Sequence, residues 1–508
     1  MSEPVTPAKV CVVIGRTRHK MVQLEIQEAA KRGAEMIELR LDFLAKAPDF
    51  KRLLDDKPCP MVATVRRPED GGRWPGSEDA RQILIRQAIV AGFDWVDLET
   101  DIADKIPRYG KVKRIISYHN MRGIPDKLEE LHAKMCKQDG DLVKIAVTAH
   151  HPNDNLRVLK LLEKPAKPTV AFCMGELGLP SRFLGALYHI PYTYAAFNKE
   201  RGIAPGLPSF YDMMKLYRYG QINSKTPIYG VIGDPVAHSL SPLIHNRALK
   251  HLNVPGVYIP FRVPRGQLPE FFSEFRHLPV QGFSVTIPHK EAALLIADER
   301  DMGAEPIGAA NTLVRDGGKW VAYNTDATAA LESLKANLPK HEDGSPPIMD
   351  SMTVLILGAG GVARAVAHAL HRVGALVTIA NRTEERAKHL AEDVGCRHID
   401  WTARHSVLCD LLVNCTSVGM HPNVDETPVH NSLLKPGLNV FETIYTPENT
   451  LLIKEARERG CNVITGVDMF VRQAGLQFHL FTGQEAPLEL MDKVVRRQLS
   501  PVMLRDED

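Results

Sequence analysis

The sequence predicts an α/β protein in two parts, an N-terminal (β/α)8 barrel followed by a separate two-domain α/β unit. Eight short β-rich runs alternate with helix-period segments over about the first 220 residues. Further on, the glycine-rich turn Gly358-Ala359-Gly360-Gly361-Val362-Ala363 stands between an apolar strand and an apolar helix. The composition bounds both readings: 508 residues with 44% hydrophobic and 24% charged residues describe an ordered globular chain. At roughly 150 residues per domain this length gives three units, or two where one is a large barrel.

Charge and cysteine usage exclude several classes of function. Lys and Arg total 63 against 61 Asp and Glu, a net charge of +2 that leaves no electrostatic footprint for nucleic acid or an anionic membrane. Small molecules are the expected partners. Gly (36) and Pro (35) are dispersed, which excludes collagen-like and low-complexity chains. The eight cysteines are scattered without a C-x-x-C pair, so reduced thiols and no metal are expected. MSEPVTPAKVCVVIGR carries no long apolar run, and a cytoplasmic enzyme is the expectation.

The barrel strands begin at Lys9 (KVCVVIG), Met36 (MIELRLD), Pro60 (PMVATVR), Trp95 (WVDLET), Lys113 (KRIISYH), Leu142 (LVKIAVT), Thr169 (TVAFCMG) and Tyr192 (YTYAAFN). QLEIQEAAKRG, ARQILIRQAIVAG, DKLEELHAKMCKQ, LRVLKLLEK and RFLGALYH supply helices between them, whereas DIADKIPRYGK, the fourth connection, is too short for a good helix. A helical connector from Ser209 is expected to include the last helix of the barrel. Chemistry in such barrels sits at the C-terminal strand ends. Glu38 and Arg40, two apart on the second strand, share its inward face as an ion pair or as ligand contacts. Arg66 ends the third strand, His119 ends the fifth, and Arg182 opens the helix after the seventh. Lys144 interrupts an apolar strand, where desolvation favours the neutral amine that forms an imine with a ketone. His119 beside it can move protons, and the arginines imply an anionic substrate.

At these residues the chain resembles type I 3-dehydroquinate dehydratase. The matching fragments are Glu38-Leu39-Arg40, Arg66 followed by Gly71-Gly72, Ser117-Tyr118-His119, Val143-Lys144-Ile145, Met174-Gly175 through Ser181-Arg182, and Ala204-Pro205-Gly206. The resemblance implies Lys144 as Schiff-base former, His119 as general acid/base and Arg182 as carboxylate anchor. Glu38, Arg40 and Arg66 would line the substrate hydroxyls and orient the histidine. Three residues depart from the family: Asp70 stands where a Glu usually supports the His, and Ile203 and Leu207 replace the Ser and Gln of its last loop.

In the second half, IYGVIGDPVAHSLSPLIHNRALKHL reads as strand, polar loop and helix, with Ser239 and Ser241 at the helix start as ordinary caps or as an anion site. Lys290 follows GFSVTIPH and Asp326 ends the strand WVAYNT; taken alone, both read as surface charges. In the turn at 358–363, Gly358 makes the bend, Gly360 admits a pyrophosphate, and Ala363 permits close packing. The next strand ends at Asn381-Arg382-Thr383, where an arginine suits a ribose 2′-phosphate and hence NADP.

These fragments resemble shikimate dehydrogenase, together with Gly308-Ala309-Ala310-Asn311-Thr312, Asn414 through Met420, Tyr445-Thr446-Pro447, Gly466-Val467-Asp468-Met469 and Gln473-Ala474. The resemblance implies that Ser239 and Ser241 hold the substrate carboxylate and that Thr286, Asn311 and Gln473 make other substrate contacts. Lys290 and Asp326 become the catalytic pair. Gly358, Gly360, Gly361, Ala363, Asn381, Arg382, Thr383, Gly466 and Met469 become the NADP contacts. Ser284 replaces a usual Asn and Glu442 a usual Asp. The implied domains are a barrel over 1–222, a substrate domain over 227–335, a Rossmann NADP domain over 350–470, and C-terminal helices over 471–508 that pack back on the substrate domain.

The dehydratase product, 3-dehydroshikimate, is the ketone such a dehydrogenase reduces to shikimate, so the resemblance implies a bifunctional enzyme of the shikimate pathway. Two alternatives are a catabolic quinate/shikimate dehydrogenase and a non-catalytic quinate sensor of the same architecture. Retention of Lys144, His119, Lys290 and Asp326 speaks against the sensor.

Overall fold

A computed structural model describes residues 9–198, 204, 206–340, 345 and 347–500. The chain falls into two compact units, the first running to Ile228 and taking in Pro255–Val263 and Glu270–Pro279 as well, the second holding the rest from Tyr229 on. In the first, eight strands form one sheet: β1 (Lys9–Ile14), β2 (Met36–Arg40), β3 (Met61–Thr64), β4 (Trp95–Glu99), β5 (Lys113–Asn120), β6 (Leu142–Thr148), β7 (Thr169–Met174) and β8 (Tyr192–Ala196). Neighbours in chain order pair in parallel from β1 to β7, and β8 returns to pair with β1. The sheet thereby curls into a barrel whose end strands, β7 and β8, share no ladder among the described residues. Their rings close the seam instead, with Phe172 and Tyr194 meeting edge to face at 5.8 Å.

Helices follow most strands: His19–Lys31, Phe50–Leu54, Glu78–Ala91, Leu128–Lys137, Asp154–Lys160 and Leu179–Leu184. The fourth connection holds only a 3-10 turn, Ala103–Lys105, in keeping with its length. The connector from Ser209 departs from the expected helix. It forms a π-helical turn over Asp212–Leu216 and a 3-10 turn over Tyr219–Gln221. Arg218, in the left-handed region at φ 49°, separates the two and stops a regular helix from continuing.

The barrel positions its polar side chains through register. Pairing aligns Glu99 with Ser117 and Ser117 with Lys144, so three polar groups from adjacent strands stand at one level. Beneath them Cys11, Val62, Ile115 and Leu142 belong to the apolar interior.

From Ile228 on, the chain builds two more sheets. The first contains β9 (Ile228–Gly233), β10 (Val257–Arg262), β11 (Val280–Val285), β12 (Glu299–Arg300), β13 (Thr312–Asp316) and β14 (Lys319–Tyr323), in the order β10-β9-β11-β13-β14-β12. It is mixed: β13 runs antiparallel to β11 and β14, while β12 is parallel to β14. Stacked Phe283 and Trp320, with centroids 5.6 Å apart, fill one face. The second sheet contains β15 (Thr353–Leu357), β16 (Leu376–Ala380), β17 (Arg397–Ile399), β18 (Leu411–Asn414), β19 (Asn439–Glu442) and β20 (Asn462–Ile464). Its pairs are all parallel, in the order β17-β16-β15-β18-β19-β20. Strand order reverses beside β15, which opens a crevice at the C-terminal ends of β15 and β18.

The helix Gly361–Arg372 packs closely behind this crevice because its inner face is built largely from alanine, with Ala363, Ala365, Ala367 and Ala369 buried. A long helix, Gly466–Thr482, then returns to the first of these two sheets, where Phe481 stacks on Tyr229 at 5.4 Å. Gly282 leaves room for that ring, since a Cβ there would lie 2.3 Å from it. Among the described residues no helix is long and apolar enough to cross a membrane.

Candidate active sites

The C-terminal mouth of the barrel holds a cavity of about 80 Å³ lined by Glu38, Arg40, Arg66, His119, Lys144 and Arg182, together with Asp70, Phe172, Met174, Tyr194 and Leu207. All six barrel residues singled out in the sequence converge there. Lys144, 3% exposed, donates from Nζ to Glu38 Oε2 and Asp97 Oδ2, both at 3.1 Å, and stands 4.2 Å over the Tyr194 ring. The interior therefore surrounds this amine with two carboxylates, where the apolar run around it predicts desolvation alone. Glu38 and Arg40 are not paired with each other, for Glu38 turns to Lys144 while Arg40 forms a two-pronged pair with Asp42 at 2.8 and 2.9 Å.

Arg66 is the hub of the buried charges. It donates to Asp97 Oδ2 at 2.8 Å, Glu99 Oε1 at 3.0 Å and Ser117 Oγ at 3.1 Å. Ser117 in turn donates to Asp97 Oδ1 at 2.6 Å, and Arg81 reaches the other oxygen of Glu99 at 2.8 Å. Burial pushes the Asp97 carboxyl up, but Arg66 and Lys144 outweigh it and hold the group well below the usual range. Gly72 shapes the loop that closes over Arg66, since a Cβ there would lie 2.0 Å from the Arg66 carbonyl oxygen.

His119 faces this cluster as a neutral ring. Burial, then the charges of Arg66 and Lys144, push its pKa well below 6.5. Its Nδ1 is buried without a hydrogen-bond partner among the described residues. Asp70 does not support it, because Arg67 takes that carboxylate at 2.8 Å within the turn Pro68–Asp70. Among the described residues Arg182, 1% exposed, has no hydrogen-bond partner at any of its three guanidinium nitrogens, and it lies 4.2 Å over the Phe172 ring. Burial pushes its pKa down to about 10. Leu207 packs against the barrel interior, and Ile203 lies outside the described residues.

In the second unit Lys290 and Asp326 are buried and joined, Nζ to Oδ2, at 2.6 Å. They are not surface charges. Lys290 opens the helix Lys290–Ile296, and Asp326 lies in the first turn of the helix Thr325–Asn337 rather than at a strand end. Asn324 starts that helix by accepting from the N–H groups of Asp326 and Ala327. Asn311 donates to the other Asp326 oxygen at 2.9 Å and reaches Gln473 Oε1 at 3.4 Å. Ser239 and Ser241 form a second group at the start of the helix Ser241–His251, where Ser239 Oγ accepts from the Ser241 N–H at 3.2 Å. Thr286 packs so tightly on Gly233 that a Cβ there would lie 2.5 Å from its methyl group. Ser284 donates to Gln477 at 2.7 Å, and Glu442 accepts from Asn414, the Ile444 N–H and Thr450. Both departures from the family pattern are thus hydrogen-bonded.

The glycine turn fits a dinucleotide. At Gly358, φ +110°, a Cβ would lie 2.9 Å from the Cys415 carbonyl oxygen, whereas at Gly360 it would meet nothing within 4 Å, leaving open space at the start of the helix. A Cβ at Gly361 would lie 2.9 Å from Lys290 Cδ, so the turn lies directly against the lysine. Ala363 is buried at the foot of this turn. Arg382 is exposed after β16, with Asn381 bracing the turn by donating to the Thr383 carbonyl at 2.8 Å. Gly466 begins its helix where a Cβ would lie 2.4 Å from the Ile444 carbonyl oxygen, and Met469 is buried one turn on.

Sequence reasoning missed Asp97, Glu99 and Tyr194, although WVDLET, like MIELR, places two charged residues on one strand face. It also missed Asn324, whose signal is the N-T-D start of a helix.

Fold and sites together define an enzyme with a lysine-centred lyase site in a barrel and a dinucleotide-dependent oxidoreductase site in the second unit. The sequence pattern of Type I 3-dehydroquinase matches residues 10–224, that of the shikimate dehydrogenase substrate binding domain 231–313, that of shikimate/quinate 5-dehydrogenase 345–432, and that of the shikimate 5′-dehydrogenase C-terminal domain 466–496. A chloroplastic bifunctional 3-dehydroquinate dehydratase/shikimate dehydrogenase of Arabidopsis thaliana is 37% identical over 97% of this chain and 85% of its own. A shikimate dehydrogenase (NADP(+)) of Bacillus licheniformis is 40% identical over 54% of this chain and 98% of its own. The solved structure of a shikimate dehydrogenase in complex with NADP+ superposes with a TM-score of 0.51 at 34% identity, covering 55% of this chain and 98% of that one. The chain belongs to the bifunctional 3-dehydroquinate dehydratase/shikimate dehydrogenase family.

The neutral state of His119 sets a pH dependence. A histidine whose folded pKa is lowered stays an unprotonated base as pH falls through 6.5, the ordinary value. The acid limb of kcat/KM for the barrel reaction is expected below pH 6.5. A limb at or above 6.5 would place a charged His119 in the free enzyme.

Proposed function

We propose that the barrel dehydrates 3-dehydroquinate to 3-dehydroshikimate and that the second unit reduces this ketone to shikimate with NADPH. The observation carrying the first assignment is Arg182, a fully buried guanidinium without a hydrogen-bond partner among the described residues, in the same cavity as Lys144 and His119. A substrate carboxylate supplies the missing counter-charge.

Lys144 passes its proton to one of the two carboxylates at 3.1 Å and attacks the C3 ketone, whose oxygen leaves as water to give the imine. His119 removes a proton from C2, and the electron pair expels the C1 hydroxyl, which takes a proton from His119 and departs as water. Hydrolysis of the imine then restores Lys144. Glu38, Arg40 and Arg66 line the hydroxyl-bearing side of the substrate.

In the second unit Ser239 and Ser241 bind the carboxylate, and Thr286, Asn311 and Gln473 bind the ring substituents. NADPH, when bound, supplies hydride to the carbonyl carbon. Lys290, held at 2.6 Å by Asp326, donates a proton to the developing alkoxide. Gly358, Gly360, Gly361 and Ala363 cradle the dinucleotide, Gly466 and Met469 border it, and Arg382, with Asn381 and Thr383, meets the 2′-phosphate. Cytoplasmic residence is part of the same proposal, and fractionation of the source cells checks it.

Borohydride added with 3-dehydroquinate is expected to leave a ligand-sized mass increment on the peptide carrying Lys144. Full dehydration by Lys144→Ala would overturn the imine assignment. Arg382→Ala is expected to weaken NADPH binding about ten- to a hundredfold, the scale of a charge-assisted hydrogen bond, and to leave NADH binding nearly unchanged. Equal loss for both cofactors would remove Arg382 from 2′-phosphate recognition.

A further inference from the structure

The loop carrying Asn311 is fastened to the cofactor helix by a residue outside every group described so far. Arg364 sits in the first turn of the helix Gly361–Arg372, and its Nε donates to the Ile307 carbonyl at 2.8 Å. Asp393 holds the other end of the guanidinium, Nη2 to Oδ2, at 2.7 Å. Gly308, at φ +70°, lies against it so closely that a Cβ there would be 2.8 Å from Nη2. Ile307 and Ala309 are buried in the same apolar cluster as Ala363 and Val366 of that helix.

The peptide groups that follow reach both members of the Lys290–Asp326 pair. The Ala309 carbonyl accepts from Asn324 Nδ2 at 2.8 Å, and the Oδ1 of that same side chain starts the helix bearing Asp326. The Ala310 N–H donates to the Lys290 carbonyl at 2.8 Å, and Asn311 holds Asp326 at 2.9 Å. The short covalent stretch Ile307–Asn311 therefore links, through hydrogen bonds along its length, the first turn of the cofactor helix to the backbone of one reacting residue and the carboxylate of the other.

We propose that Arg364 is a positioning residue for ketone reduction: by clamping Ile307–Asn311 to the cofactor helix, it sets the Lys290–Asp326 pair in register with the dinucleotide turn. This rests on the reading of Lys290 and Asp326 as the catalytic pair. The guanidinium is engaged by the Ile307 carbonyl and by Asp393, so its contribution is to geometry and not to cofactor affinity.

The test compares Arg364→Ala, Arg364→Lys, Gly308→Ala and Lys290→Ala in the full chain, with kcat and KM from NADPH-linked reduction of 3-dehydroshikimate and the NADPH dissociation constant from fluorescence titration. Arg364→Ala is expected to lower kcat about tenfold or more, the scale of one charged hydrogen bond, with NADPH affinity within about twofold. Arg364→Lys, which keeps a cationic donor, recovers most of the rate, and Gly308→Ala, which displaces the guanidinium, reproduces the loss. Unchanged kcat in Arg364→Ala and Gly308→Ala, or a loss matched by lost NADPH affinity, overturns the positioning role. Normal reduction by Lys290→Ala overturns the underlying reading instead.

Discussion

A charge taken out of water must find a partner, and the arrangement of this protein follows from where that requirement is met and where it is not. Among the described residues the buried lysines and arginines are Arg40, Arg66, Arg81, Arg114, Lys144, Arg182 and Lys290. All but Arg182 have a carboxylate within ion-pair distance. Removing one partner of a buried pair costs about 3–5 kcal/mol, so these networks hold the strand ends of the barrel in fixed relation. Arg182 is held by packing and by the face of Phe172, a weaker compensation. A site that keeps one cation uncompensated is arranged for an anion that arrives from outside.

The dehydrogenase unit obeys the same constraint by another route. Its buried lysine is fully paired, and the Asp326 carboxylate is satisfied on both oxygens, by Lys290 and by Asn311. That arrangement suits a group that must deliver a proton at a defined point. The side chains involved come from three segments separated in sequence, and the short stretch Ile307–Asn311 joins them because its backbone groups are satisfied by the Lys290 carbonyl and the Asn324 side chain.

Much of this was legible in the sequence for physical reasons. The barrel strands show as apolar runs because both of their faces are buried, and Lys144 stands out because a charged residue interrupts such a run. The glycine turn is legible because it leaves no choice of residue where backbones touch, as at Gly358. Partners are harder to read. Asp97 and Glu99 contact Arg66 and Lys144 across tens of residues, and Asp70 turns to its neighbour Arg67 where a family pattern predicts support of His119. The irregular end of the barrel was hidden as well, since a single left-handed residue, Arg218, decides it. That Arg182 lacks a partner is a property of the folded cavity alone.

Arg182 therefore offers the most direct test, because a structural and a substrate-binding guanidinium respond oppositely to removal. Replacing it with leucine takes away an unpaired buried charge and keeps most of the side-chain volume. The measurement is the thermal stability of Arg182→Leu beside its KM for 3-dehydroquinate. The account predicts a midpoint equal to or above that of the unaltered protein, with KM raised about ten- to a hundredfold. A clear fall in stability with an unchanged KM would show that Arg182 serves the fold and that the substrate carboxylate binds elsewhere.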